Sequence, residues 1–263
     1  MRKKIAIVIA VVVALAIVGT GYGIVYAQNK VFAGVSLAYQ ESQCLSANSG
    51  DTVDASIWFI DSTGFFASLD GDSVTATLSG GDTGATVTAV AIDINQTPTF
   101  LSPYGLYEVT ITVQPPTDRA ATRDTQLTLN DRTFDIGSLT ILQTPEQDYP
   151  DLDDISADLA TMDATMYDMT VSNNLKQPVT ISAVSYSLDR KLINLLKSPV
   201  VIKAGASQDL HLPTGFTTND YTIQPLITYE YQGKTYTQIA VGPTQYMISL
   251  GKQDVIDYIK AHR

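Results

Sequence analysis

Through most of this chain apolar residues recur at every second position, in runs too short for helices and broken by turn formers, and that pattern restricts it to β-structure. Residues 73–78 (SVTATL), 107–113 (YEVTITV) and 126–129 (QLTL) alternate apolar with Thr, Ser, Glu or Gln, and residues 57–60 (IWFI) form a short apolar run. Their Val, Ile and Thr branch at Cβ, which suits a pleated surface and crowds a helix. Between the runs stand Asp70-Gly71-Asp72, Ser79-Gly80-Gly81-Asp82 and Asn130-Asp131, residues that take positive φ or bond their own backbone in turns. The pattern resumes at residues 167–171 and 179–188 and is plainest at residues 227–237 (ITYEYQGKTYT). There Gln232-Gly233 is suited to a two-residue hairpin turn, with Tyr229, Tyr231 and Tyr236 supplying cross-strand aromatic area. The string Leu129-Asn130-Asp131-Arg132-Thr133-Phe134 is a faint echo of Tyr231-Gln232-Gly233-Lys234-Thr235-Tyr236.

The N-terminus obeys a different rule. Arg2, Lys3 and Lys4 are followed by residues 5–27 without a charge, a length that spans roughly 34 Å as a helix. The basic flank places Met1 in the cytoplasm and the rest of the chain beyond the membrane. A cleaved signal peptide is the rival reading, since Val25-Tyr26-Ala27 offers an A-x-A-like site; both export the remainder. The expected organisation is a transmembrane anchor over residues 1–30, then two tandem Ig/fibronectin-III-like β-sandwiches, residues 31–147 and 148–263. A short helix at residues 252–263, with Val255, Ile256 and Ile259 on one face, closes the second.

Charge narrows the function. With 27 acids against 16 bases the formal charge is −11, and nucleic-acid binding needs the opposite sign. Residues 28–147 sum to −10, residues 148–168 to −7 and residues 169–263 to +3, an asymmetry that marks a boundary near residue 150. The single cysteine, Cys44, forms no intramolecular disulfide, and the two histidines, His211 and His262, leave little material for histidine chemistry.

One family resemblance emerges in the second half. The string Val171-Ser172-Asn173-Asn174-Leu175-Lys176-Gln177-Pro178-Val179-Thr180-Ile181, then Val184-Ser185-Tyr186-Ser187-Leu188 and Val201-Ile202-Lys203-Ala204-Gly205-Ala206-Ser207, resembles the type 2 late embryogenesis abundant family, also called the water-stress and hypersensitive-response domain. Where that family usually has Asn-Pro-Asn, this chain has Asn173-Asn174. The resemblance covers about residues 150–250 and implies a small fibronectin-III-like sandwich with no active site to carry over. Bacterial Ig-like modules share the same Asn-rich turn.

The candidate sites are few. Asp148, Asp151, Asp153, Asp154 and Asp158 crowd the proposed boundary, and clustered carboxylates suit calcium, which would stiffen the joint; a solvated acidic linker is the plainer reading. Asp70 and Asp72 pose the same choice on a smaller scale. Ser249-Leu250-Gly251-Lys252 is an isolated S-x-x-K match without companion motifs. Trp58 is expected in the core, and His211 as an ordinary surface or satisfied residue. The tract of residues 188–197 mixes apolar and basic residues and reads either as a membrane or partner surface or as a strand with a basic loop. Asn95-Gln96-Thr97 is a glycosylation sequon. Together these predict a non-catalytic, single-pass envelope protein that binds a protein partner or forms part of a cell-surface assembly. The alternatives are a calcium-stiffened adhesion or spacer module, and an accessory subunit whose Gly19-Thr20-Gly21-Tyr22-Gly23 run packs against other helices.

Overall fold

The computed structural model describes residues 29–69, 73–80, 85–99, 102–115, 120–121, 125–147, 155–162, 165–188, 191–216, 221–240 and 252–263, with positions 20, 23, 25 and 26 before them. In the first half the strands are β1 (Ser36–Ala38), β2 (Glu41–Ala47), β3 (Val53–Asp61), β4 (Ala76–Ser79), β5 (Thr86–Gln96), β6 (Gly105–Gln114), β7 (Ala120–Ala121), β8 (Gln126–Leu129), β9 (Arg132–Asp135) and β10 (Gly137–Gln143). The second half has β11 (Ile155–Met162), β12 (Met166–Asn173), β13 (Val179–Leu188), β14 (Lys191–Asn194), β15 (Val200–Ile202), β16 (Ala206–Pro213), β17 (Tyr221–Ile223), β18 (Leu226–Tyr231) and β19 (Lys234–Ile239), then helix α1 (Lys252–His262). From Lys30 onward the described residues are all-β apart from this helix and short 3-10 turns. The anchor proposed over residues 5–27 lies outside the described residues save for Thr20, Gly23, Val25 and Tyr26; among the described residues no helix is long and apolar enough to cross a membrane.

Period two becomes burial most clearly in β6, where Tyr107, Val109, Ile111 and Val113 are buried and the residues between them half-buried. β6 runs antiparallel between β3 and β5, and its inner face meets β8 and β10 through Leu127, Leu129, Leu139 and Ile141 to form the first core. The second core lies between β11-β12-β16 and the sheet of β13, β14, β18 and β19, filled by Tyr167, Met169, Val171, Ile181, Val184, Tyr186, Leu210, Leu212, Ile227 and Tyr229. Gln232 and Gly233 take φ of 50° and 74°, closing β18 onto β19 so that the rings of Tyr229 and Tyr236 face each other at 5.4 Å. Asn173, from the string that carries the family resemblance, is fully buried. Its Nδ2 donates to the carbonyls of Gln177 and Ile202, both at 3.0 Å, and its Oδ1 accepts the Leu175 N–H at 3.0 Å. It thereby pins the β12–β13 turn to β15.

Two placements depart from expectation. Trp58 is half-buried, not a core residue. Ile57 and Phe59 of β3 enter the first core, whereas on Trp58's side Asp54 is exposed, Ser56 is half-buried and Ile60 at the end of the strand lies under α1. The apolar run therefore gains a second cover only at Ile60, and the Trp58 indole N–H is buried without a hydrogen-bond partner. Helix α1 buries the face of Val255, Ile256 and Ile259 as the spacing predicts, but packs them on Phe32, Val35, Ile60 and Tyr104 of the first half.

The two cores meet at one sheet. β2 pairs in parallel with β10 from Glu41–Gly137 to Ala47–Gln143, and β17 adds in parallel to the other edge of β2. Alternation along this pair sends Leu45, Ala47, Leu139 and Ile141 into the first core and Cys44 and Leu142 into the second. Parallel strands are stable when both faces are covered, as here. The boundary proposed near residue 148 falls between β10 and β11, yet β17 from beyond it completes the sheet of β2.

Gly137 begins β10 at φ 85°, where a Cβ would stand 2.4 Å from the Glu41 carbonyl oxygen. Gly137→Ala is expected to lower unfolding free energy by roughly 1–3 kcal/mol beyond the left-handed backbone cost of about 1–2 kcal/mol. Gly50→Ala, at φ 85° with nothing within 4 Å, pays the backbone cost alone; urea denaturation of the two variants reads the difference.

Candidate functional site

The stretch Glu41-Ser42-Gln43-Cys44-Leu45-Ser46-Ala47 is too polar to read as a central strand, yet Glu41, Gln43 and Ser46 are buried in it. Each polar group meets a partner. Thr222 Oγ1 of β17 donates to Glu41 Oε1. Gln43 Nε2 donates to the Ser56 carbonyl at 2.7 Å and to Glu41 Oε2 at 3.4 Å. The Ser46 hydroxyl donates to the Gln224 carbonyl at 2.5 Å and the Ser46 N–H to Gln224 Oε1 at 3.0 Å. Gln224 N–H in turn donates to the Cys44 carbonyl at 2.7 Å. A buried polar group without such a partner costs about 1–3 kcal/mol, so these bonds make register and pairing mutually dependent.

On the face of β2 that also carries Ser46, the Cys44 thiol is buried, and its Sγ accepts the Ser187 N–H at 3.1 Å. Burial, followed by the proximity of Cys44 and Tyr221, pushes the Tyr186 phenol up to about 12. The space left among β2, β10, β13 and β17 is about 10 Å³, far below an organic ligand's needs. Chemically this joint is a fastener.

A more open hollow of about 360 Å³ lies between residues 195–200 and β16, with Leu195, Leu196, Lys197, Val200, Leu210 and His211 among its lining. β16 is the edge of its sheet. On its outer face His211 Nδ1 lies 2.9 Å from Asp168 Oδ1, with the His side chain 71% exposed, and Asp209 accepts the Thr170 hydroxyl at 2.7 Å. His211 is thus a surface residue on an edge strand.

Of the proposed calcium ligands, Asp148, Asp151, Asp153 and Asp154 lie outside the described residues, and Asp158 sits in β11 opposite Thr170 in register. Among the described residues no group of three or more His, Cys, Asp or Glu side chains is placed to hold a metal ion. Asp70, Asp72 and Ser249 are likewise outside the described residues, and Lys252 opens α1. The tract of residues 188–197 divides: β14 pairs with β13, Leu195 and Leu196 are buried, and Leu192 is 60% exposed. Asn95 is exposed on β5. The fastening residues Glu41, Gln43, Ser46, Thr222 and Gln224 carry no sequence signal, because each is explained by a partner remote in the chain.

Two sheet-enclosed cores fastened through a shared buried sheet define an all-β sandwich protein. No family model matches the sequence, and no curated protein matches it. Among solved structures the chain is similar to the YadV chaperone, at 11% identity and a TM-score of 0.26 over 78% of this chain and 98% of that one. It is also similar to the C-terminal domain of the Streptococcus agalactiae AgI/II polypeptide BspA, at 7% identity and a TM-score of 0.23 over 78% and 98% of the two chains. A third likeness is to titin domains z1z2 in complex with telethonin, at 13% identity and a TM-score of 0.22 over 78% and 93%. These likenesses are loose, and the fold rests on the strands and cores themselves.

Thr222→Val removes a donor from the buried Glu41 carboxylate and is expected to cost roughly 1–3 kcal/mol in urea denaturation. Thr128→Val, at the exposed Thr128–Thr133 pair spaced 2.9 Å, is expected to change little. For Tyr186 the folded pKa of about 12 exceeds the ordinary phenol value of 10.0. Its stabilising contribution is therefore full below pH 10 and lost as pH rises toward 12. Stability measured across that window is expected to fall, and Tyr186→Phe to flatten part of the fall; an unchanged slope would remove the assignment.

Proposed function

We propose that this chain is a non-catalytic, membrane-anchored protein of the cell envelope, its two-core β-structure lying outside the cytoplasm and holding a protein partner. The uncharged run of residues 5–27 behind Arg2, Lys3 and Lys4 carries the reading, because an apolar stretch of that length next to bases is the physical signature of a single-pass anchor with its N-terminus inside. Further support comes from the shared β2–β10 sheet. It ties the two cores into one body, which suits a chain that presents a surface more than one that closes around a substrate. The open side of β16 and the adjoining hollow offer such a surface, with Lys197 at its rim and Leu195, Leu196 and Leu210 beneath.

The acidic residues Asp148, Asp151, Asp153, Asp154 and Asp158 support a second reading as a calcium-stiffened spacer, since the segment joins β10, which borders both cores, to β11 of the second sandwich. The family resemblance over residues 150–250 is compatible with either role.

Capture of the full-length chain from native membranes in mild detergent, followed by mass spectrometry, tests the first reading. An intact N-terminus with a stoichiometric companion is expected. A chain beginning at Gln28 would remove the anchor, and hydrolase activity abolished by one acid or serine substitution would remove the non-catalytic assignment. Calorimetry showing no calcium uptake at millimolar concentration would dismiss the spacer.

A further inference from the structure

The first residues after the apolar run are held by the last described element of the chain. Phe32 and Val35 are buried with Val255, Ile256 and Ile259 of α1, together with Ile60 and Tyr104, and Phe32 stacks on Tyr104 at 4.6 Å. Tyr258 donates its hydroxyl to the Ala38 carbonyl at 2.9 Å, accepts the Gln40 N–H at 2.8 Å and stacks on Tyr39 at 4.5 Å. Arg263 closes the contact, its Nη1 and Nη2 donating to the carbonyls of Val31 and Ala33, both at 3.1 Å. Between Ala27 and Val31 stand three residues, so the chain covers at most roughly 14 Å between them.

We infer that helix α1 is the membrane-apposed element of this protein: it clamps the segment leaving the bilayer and rests against anionic phospholipid headgroups. The inference rests on the anchor reading above and adds orientation to it. An anchor ending at Ala27 with Val31 already fixed under Arg263 leaves too little chain for the β-structure to stand off the bilayer, so the end of α1 nearest Arg263 lies close to the headgroups. Charge agrees with that placement. Lys30, Lys260, His262 and Arg263 are exposed at this end, with Asp257 3.6 Å from Lys260, in a chain whose formal charge is −11. Anionic lipid attracts the basic end and repels the acidic remainder, which reinforces one orientation.

The test uses the full-length chain in vesicles of phosphatidylcholine and phosphatidylglycerol carrying a headgroup nitroxide. One fluorophore is attached at Ala261→Cys, an exposed position, and another, in a separate variant, at Thr52→Cys, exposed ahead of β3; the native Cys44 is 2% exposed and stays unlabelled. Thr52 lies eight residues along the strand from Ile60, roughly 26 Å from the α1 contact. Flotation of both variants with the vesicles, and quenching several-fold stronger at position 261 than at 52, is the expected result. Flotation with equal or weaker quenching at 261 overturns the inference and leaves the anchor standing. Failure to float overturns the anchor and the inference with it.

Discussion

The parallel pairing of β2 with β10 is the constraint on which the remaining architecture depends. Covered on both faces, the pair has no side that water can stabilise, and a one-residue slip would exchange Cys44 with Leu45 between the two cores. Apolar patterning along β2 is too weak to prevent such a slip by itself. Register is held by shape at Gly137, which brings the backbones of β10 and β2 together, and by polar bonds from Glu41 and Ser46 to β17 and its neighbour Gln224. Specificity here comes from hydrogen bonds buried where an unmade one is expensive.

That arrangement interlocks the two halves of the chain. β17, flanked by strands of the second sandwich, is an edge of the central sheet, and α1 returns to cover β3 from outside. Each half therefore contributes an element that the other lacks. The remaining polar pairs are simpler: Ser172 meets Ser207 at 2.7 Å across β12 and β16 on an exposed face, and Ser56 meets Thr110 at 3.1 Å across half-buried β3 and β6, neutral pairs that add little energy.

How much was legible in the chain follows from how local each feature is. β6, β13 and the β18–β19 hairpin were readable because one face is buried and the turn chemistry sits beside them in sequence; residues 179–188 coincide with β13. Trp58 stands half-buried because its face of β3 is covered only at Ile60, which continuous hydrophobicity does not reveal. β2 was unreadable because its burial is imposed by strands far along the chain, and its Ser, Gln and Glu look like a loop until Ser56, Thr222 and Gln224 are placed beside them. The sites divide the same way. His211 could be expected on a surface from its flanking residues, whereas the fastening set required tertiary structure, and the aspartates at 148–154 fall outside what the structure describes.

Contact between Glu41 and Thr222 spans 181 residues, and that between Gln40 and Tyr258 spans 218. A chain made from its N-terminus thus produces β2 long before the strand that completes its sheet, and Phe32 long before the helix that covers it. Loop closure over such separations is slow, and the early half must wait with an open strand edge and an uncovered aromatic patch, features that invite pairing with other chains. A nascent molecule is therefore vulnerable through the interval between the emergence of Glu41 and the arrival of Tyr258.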